Sequence, residues 1–449
     1  MRSAATQTLD SSVLSAESDT DSATDSNSAR QVQSAADTAV TGQLGAEPSG
    51  PCTPRRSLAE RIRRLSVAGP TRSQPRPTPE ALADSLGAEL IAPGLLQLER
   101  QRPLSQRHGR FQLAKGLSCC TRGEPDLSRL SLPDAEGWRF LDTETSGLAG
   151  GTGTWAFVVG IGRIQGAELC LRQYLLLELD AEAAMMARVQ SELAAANLLI
   201  SYNGKRFDLP LLETRLRLNG LSGLSDTLDH LDLLYPVRRA FARRWPDCCL
   251  ARCEQRLLNV ERDDDLPGAE APAAWLDWLR AGSPARLGAV LRHNRLDLLS
   301  LAVLLPALAE VQSQPQAFGA DLLSLARHLL RSGQAQEAER LLESHLLSLE
   351  PAAALVLAQL QRRRGAWSEA VSIWQRLAAD AMADAAVAAL VELAKYQEHV
   401  KGDLAQALAY AEQLPDGEAH RHRRARLRRR LMQRNLQPRG AEATPQANP

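Results

Sequence analysis

Two kinds of hydrophobic patterning divide the chain. Between Trp138 and Asn203 the apolar residues come in short, dense runs. WRFLDTET (138–145) reads as a strand ending in a polar turn, and TWAFVVGIGRI (154–164) and ELCLRQYLLL (168–177) read as two more. Only Gln165-Gly166-Ala167 separates the last two, so they are expected to form a hairpin. Residues 180–196 have helical spacing, and NLLISYN (197–203) reads as a short buried strand. Helical patterns dominate from Asp208 onward. The sum is an α/β domain with an antiparallel first half and a returning fourth strand.

From Asp321 to about Met432 the pattern is wholly helical, with a weak repeat. Gly333, Gly365 and Gly402 each precede an alanine by five residues, at Ala338, Ala370 and Ala407. Glycine can end one helix, and alanine lets the next pack closely. The spacing brackets the tetratricopeptide period of about 34 residues, although helical hairpins of other kinds share the pattern. At the other end, residues 1–50 are rich in Ser, Thr, Ala and Asp, with too little apolar surface to offset ordering entropy. The expected layout is a disordered linker over 1–80 with a short basic helix at 57–67, an α/β domain over 81–312, a helical domain over 320–432, and a disordered tail over 433–449.

Composition adds limits. No apolar run is expected to be long enough to cross a membrane, and MRSAATQTLD lacks the apolar stretch of a secretory signal. Seven cysteines without paired spacing suit a reducing cytosol, and they do not form a zinc site. A cytoplasmic protein is therefore expected. Net charge is zero, so bulk charge announces no nucleic acid. Of 53 basic residues only Lys115, Lys205, Lys395 and Lys401 are lysine. Arginine suits phosphate contact, but a genome-wide bias against lysine gives the same count. Two arginine runs stand out, one at Arg238, Arg239, Arg243 and Arg244, the other within RHRRARLRRRL (421–431). Each could track a phosphate backbone or form a charged helix face.

Three places carry candidate chemistry. Asp142 and Glu144 are two apart on a strand, so both side chains point to one face. Paired acids repel unless a cation neutralises them, and hard divalent ions want such oxygens. A solvated turn is the ordinary reading of an isolated D-x-E. Asp208, in SYNGKRFDLP, precedes a helical pattern with Pro210 in its first turn, as an N-cap would. His293 and Asp297 are four apart on an apolar helix and share a face, as a structural His–Asp contact also would.

Taken together, FLDTETSGL, SYNGKRFD and HNRLD resemble the three exonuclease motifs of the DEDD group in the ribonuclease H-like superfamily. FLDTETSGLAGGTGTWAF, HLDLLYPVRRAF and the helix around HNRLD are similar to the YprB-like branch in particular, over roughly 57–308. The resemblance implies a ribonuclease H-like mixed sheet flanked by helices, followed by an all-α tetratricopeptide-like repeat region. It further implies that Asp142, Glu144, Asp208 and Asp297 hold two divalent ions, Mg2+ or Mn2+. His293 becomes the candidate general base. In histidine-type members the histidine lies five residues before the last Asp, and in tyrosine-type members a Tyr lies four before; His293 combines the histidine with the shorter spacing.

The activity implied is metal-dependent 3′-to-5′ exonuclease cleavage of DNA, in repair. Gly150, Gly151, Thr152, Asn203, Lys205 and Phe207 are candidates for contacting nucleic acid, and Trp155 and Phe157 for base stacking or core packing. The expected partners are nucleic acid, DNA before RNA, and a protein such as a helicase on the helical repeats, with no membrane. Two other readings stay open: a nucleic-acid-binding scaffold recruiting partners through its repeats, and an RNA-directed nuclease of the same fold.

Overall fold

The computed structural model describes residues 76–113, 135–147, 152–224, 228–380 and 383–436. The basic helix expected at 57–67, Gly150, Gly151 and almost all of the tail after 433 lie outside them. The chain enters through α1 (Pro79–Leu86), which Thr78 caps by accepting a bond from the Ala81 amide. Strands β1 (Glu89–Ala92) and β2 (Leu95–Pro103) follow, then a small ribbon of β3 (Arg107–His108) and β4 (Phe111–Gln112).

Next come β5 (Trp138–Thr145), β6 (Ala156–Gln165) and β7 (Glu168–Leu176). β6 and β7 form the expected hairpin, with Gln165 opposite Glu168. Helix α2 (Glu182–Ala194) leads to β8 (Leu198–Ser201), and α3 (Asp208–Leu218) leads to β9 (Asp229–Asp232). The main sheet has the order β1-β2-β7-β6-β5-β8-β9. It is antiparallel as far as β5, and β8 and β9 join it in parallel. This is the mixed sheet of the ribonuclease H-like class. β8 alternates Leu198 and Ile200 into one core with Leu199 into the other, so it is buried on both faces.

α4 (Leu234–Phe241), the single turn α5 (Leu250–Cys253), α6 (Ala271–Ala281) and α7 (Leu287–Ser313) complete this part. The indoles of Trp275 and Trp278 in α6 donate to the carbonyls of Leu176 and Leu177, at 2.7 and 2.9 Å, and fasten the helix to the end of β7. Against the sequence-based expectation, α7 is long and apolar enough to cross a membrane, with a mean hydropathy of 1.5 in its best window. Of that window 72% is buried against the protein itself, which is why the helix is apolar nearly all round.

A helical region follows: α8 (Leu322–Arg331), α9 (Ala335–Glu343), α10 (Pro351–Arg363), α11 (Trp367–Asp380), α12 (Ala383–Tyr396), α13 (Leu404–Glu412) and α14 (Glu418–Leu436). Gly333, Gly365 and Gly402 all adopt left-handed φ values, and Ala338, Ala370 and Ala407 are fully buried. The glycine–alanine spacing thus marks alternate helix junctions. Asp321 joins the two parts: its amide donates to the Ala240 carbonyl of α4, while its carboxylate caps α8 and pairs with Arg243.

Candidate active site

The carboxylates converge because three elements meet at the ends of β5 and β8, where loops leave a sheet and ligands tend to bind. Asp142 pairs with Gly160 across β5 and β6, and Glu144 with Val158. α7 lies over this spot. Its Asn294 is fully buried, and Nδ2 donates to the Asp142 carbonyl at 3.1 Å and to Asp142 Oδ2 at 2.7 Å. Gln173 on β7 donates in turn to Asn294 Oδ1 at 2.8 Å, which fixes the amide's orientation. Residue 160 has to be glycine for this contact, since a Cβ there would collide with Asn294 Oδ1.

Asp208 is the first residue of α3, and Phe207 occupies the cap position without a side-chain bond. The N-cap role expected of Asp208 is therefore absent; its carboxylate accepts a hydrogen bond from Thr143 Oγ1 of β5 instead. The site thus outcompetes the helix end for this carboxylate. One turn beyond Asn294, Asp297 completes the set on α7.

The electrostatics show that the four acids share one environment. Burial, then Asp297, Glu144 and Asp208, hold the Asp142 carboxyl well above the usual carboxylate range. Glu144, 7% exposed, is pushed up to about 9 by burial and then by Asp297 and Asp208. Burial raises Asp208 to about 6 despite the bond from Thr143. Gathered acids that raise one another in this way are relieved by a cation.

A cation is already close by. The guanidinium of Arg262 bonds to Asp297 Oδ1, to Glu254 Oε1 at 2.5 Å and to Asp265 Oδ2 at 2.9 Å. Glu254 is 1% exposed and begins a single π-helical turn, Glu254–Leu258, a distortion often found at functional sites. His293 is held in the same network: Nδ1 lies 2.7 Å from Asp265 Oδ2, and Nε2 lies 3.8 Å from Asp297 Oδ2. Nδ1 also lies 3.2 Å from Arg262 Nη1, so that nitrogen faces both an acceptor and a donor, while Nε2 points toward Asp297.

The donor set fits divalent metal ions in its chemistry: hard oxygens, mutual repulsion and burial. In this conformation Asn294, Thr143 and Arg262 each hold a carboxylate, and among the described residues no three His, Cys, Asp or Glu side chains converge closely enough to hold an ion. Binding at Asp297 therefore has to compete with Arg262.

A family model of the RNase_H superfamily matches residues 139–309, which carry all four acids. YprB of Bacillus subtilis (strain 168), described as an uncharacterized protein, is 31% identical over 329 residues, covering 70% of this chain and 79% of that protein. The chain belongs to the YprB family of the ribonuclease H superfamily. A family B DNA polymerase from the hyperthermophilic archaeon Pyrobaculum calidifontis superposes with a TM-score of 0.30 at 13% identity, over 63% of this chain and 35% of that one. So slight a likeness carries no functional weight.

In this YprB-family chain the loop after β8 is organised by a residue that sequence reasoning passed over. Asp232, 2% exposed, accepts from the amides of Asn203, Lys205 and Leu234 at 2.7, 3.1 and 3.0 Å. It stabilises Asn203 at φ 64° and leaves Lys205 and Phe207 exposed, Phe207 at 50%. The motif HLDLLYPVRRAF contained this signal. The structure has β9 there and begins α4 only at Leu234, because pairing with β8 extends the segment. Arg262, Asp265 and Asn294 were also missed.

The remaining candidates are dispersed. Exposed Thr152 is tethered through its carbonyl to Arg215 Nη1 at 2.9 Å. Phe157 is fully buried and stacks on Trp275, so it belongs to the core, while Trp155 lies under the Arg215 guanidinium. In the C-terminal run, Arg426 and Arg430 clamp buried Glu398, Arg421 and Arg424 pair with Asp416, and Arg428 pairs with Glu412. Much of that run is spent on structure.

Proposed function

We propose that this chain is a metal-dependent nuclease that removes nucleotides from the 3′ end of DNA, with a role in repair. The observation that supports the activity is the meeting of Asp142, Glu144, Asp208 and Asp297 from three separate elements, with burial and the neighbouring acids raising Asp142 and Glu144. The DNA preference, the polarity and the division into a nuclease part at 81–312 and a helical part at 320–432 rest on the family resemblance.

In this reading the four carboxylates hold Mg2+ or Mn2+. Bound ions of this kind supply Lewis acidity toward water and phosphate oxygens. Asn294 keeps Asp142 aimed at the site, and Thr143 does the same for Asp208. His293, held by Asp265 with its Nε2 toward Asp297, is placed to take a proton from an attacking water. Lys205 and Phe207, beside Asp208, offer a phosphate contact and a stacking surface for the terminal nucleotide. The pairing of Arg262 with Asp297 favours a second reading, a scaffold that grips nucleic acid without cutting it.

End-labelled single- and double-stranded DNA and RNA, incubated with the full chain and Mg2+ or Mn2+, separate these readings. A ladder of products that requires metal and vanishes in Asp142→Asn and Asp297→Asn supports the nuclease. Oligonucleotides that are bound but left intact would support the scaffold.

A further inference from the structure

A groove of about 680 Å3 opens where α4 meets α8, lined by Tyr235, Arg238, Arg239, Arg327, His328 and Arg331. Two runs of sequence far apart supply these charges. Arg238 and Arg239 belong to the basic run after β9, whose other members, Arg243 and Arg244, are committed to Asp321 and Glu350. Arg327 and Arg331 stand four apart on α8, on one face and about 6 Å apart along the axis. Among the described residues, Arg238, Arg327 and Arg331 form no ion pair with a carboxylate. Arg239 bonds to His328 across the groove, and burial and the neighbouring Arg331 lower its guanidinium to about 10.

One wall of the groove begins beside the loop that leads to Asp208. β8 and β9 are adjacent and parallel, so the loop carrying Lys205 and the start of α4 leave the sheet at the same end. Asp232 ties the two together through the amides of Lys205 and Leu234. Lys205 Nζ lies 5.9 Å from the ring centre of Tyr235, which is 49% exposed. Lys205 thus links the loop that ends in Asp208 to Tyr235, a residue of the groove wall. Exposed aromatic rings followed by the cations Arg238, Arg327 and Arg331 match the way proteins hold a single strand, with stacking for bases and charge for phosphates.

We infer that the groove between α4 and α8 binds the sugar–phosphate backbone of a single-stranded nucleic acid whose end lies at the carboxylates. This deepens the proposed function and rests on it for the position of the strand's end. The helical region then contributes directly to substrate binding, since Arg327 and Arg331 come from α8.

The test uses the full chain carrying Asp142→Asn, with 5′-fluorescein single strands of four and twenty nucleotides, read by anisotropy across a salt series. Arg238→Ala and the pair Arg327→Ala, Arg331→Ala are compared with the same positions changed to Lys, with thermal melts to confirm folding. The alanine variants are expected to bind the twenty-nucleotide strand about tenfold more weakly. Their salt slope should drop by about 0.7 per arginine removed. The four-nucleotide strand should bind unchanged, and lysine should restore the slope. Equal affinity and slope for the long strand in all variants would overturn the inference, as would tighter binding of a duplex through the same arginines. Cleavage of the four-nucleotide strand by the chain with intact carboxylates is read in parallel. Cleavage with an indifferent groove defeats only this inference, and groove-dependent binding without cleavage defeats only the nuclease.

Discussion

Replacing Asp208 by asparagine should make the metal-free protein more stable while removing its activity. Asp208 has a pKa near 6 in the folded chain against an ordinary 3.8, chiefly because it is buried. The sign follows from proton counting. Between about pH 4 and 6 the folded state holds a proton that the unfolded state has lost, so stability falls as pH rises through that window. Above it the penalty is complete, at about 3 kcal/mol for such a shift. Asp208 keeps some contact with solvent, which trims the expected figure to about 2 kcal/mol. Asparagine has no charge to bury and can still accept the hydrogen bond from Thr143. Urea unfolding in chelator should show a gain of about 2 kcal/mol at pH 7.5, and melting should rise by roughly 4–8 °C. The gain should vanish near pH 3.5. A loss of stability at pH 7.5, or a gain equally large at pH 3.5, would refute the argument that repulsion and burial strain this site.

Three further outcomes follow from neighbouring contacts. Asn294→Ala leaves the Gln173 amide with only the Leu291 carbonyl as acceptor and frees Asp142, so stability should fall by about 1–3 kcal/mol and nuclease turnover by about 10–100-fold, checked by melting and initial rates. Arg262→Gln leaves Glu254 buried without its cation, so urea unfolding should show a loss of about 3–5 kcal/mol. Gly160→Ala pushes a methyl group into Asn294 and should cost about 1–3 kcal/mol, read in the same unfolding assay together with lower turnover.

Strands β5 to β8 were legible because their aliphatic runs are dense and bounded by turn residues, and the hairpin turn lay where Gly166 predicted it. β9 was not. DHLD carries a single aliphatic residue, Leu231, and becomes a strand by pairing with β8. β1 and β2 were passed over for a similar reason: β2 mixes Glu and Arg into its run and takes its register from β7. The four acids were legible as a motif set, yet their surroundings were not. ERDDDL reads as a solvated loop, and only folding brings Arg262 and Asp265 from it against Asp297 and His293. Asn294 sat inside the quoted HNRLD motif, but side-chain spacing on one helix cannot reveal that its partner is the strand carrying Asp142.

The central claim is that these carboxylates hold divalent ions. The most direct test is titration of the full chain with Mn2+, counting bound ions by electron paramagnetic resonance, beside Asp142→Asn and Asp297→Asn. The account predicts about two ions per chain, as in two-metal phosphodiester chemistry, with binding weakened in both variants. No bound Mn2+ at millimolar concentration, or binding unaffected by both substitutions, would contradict it.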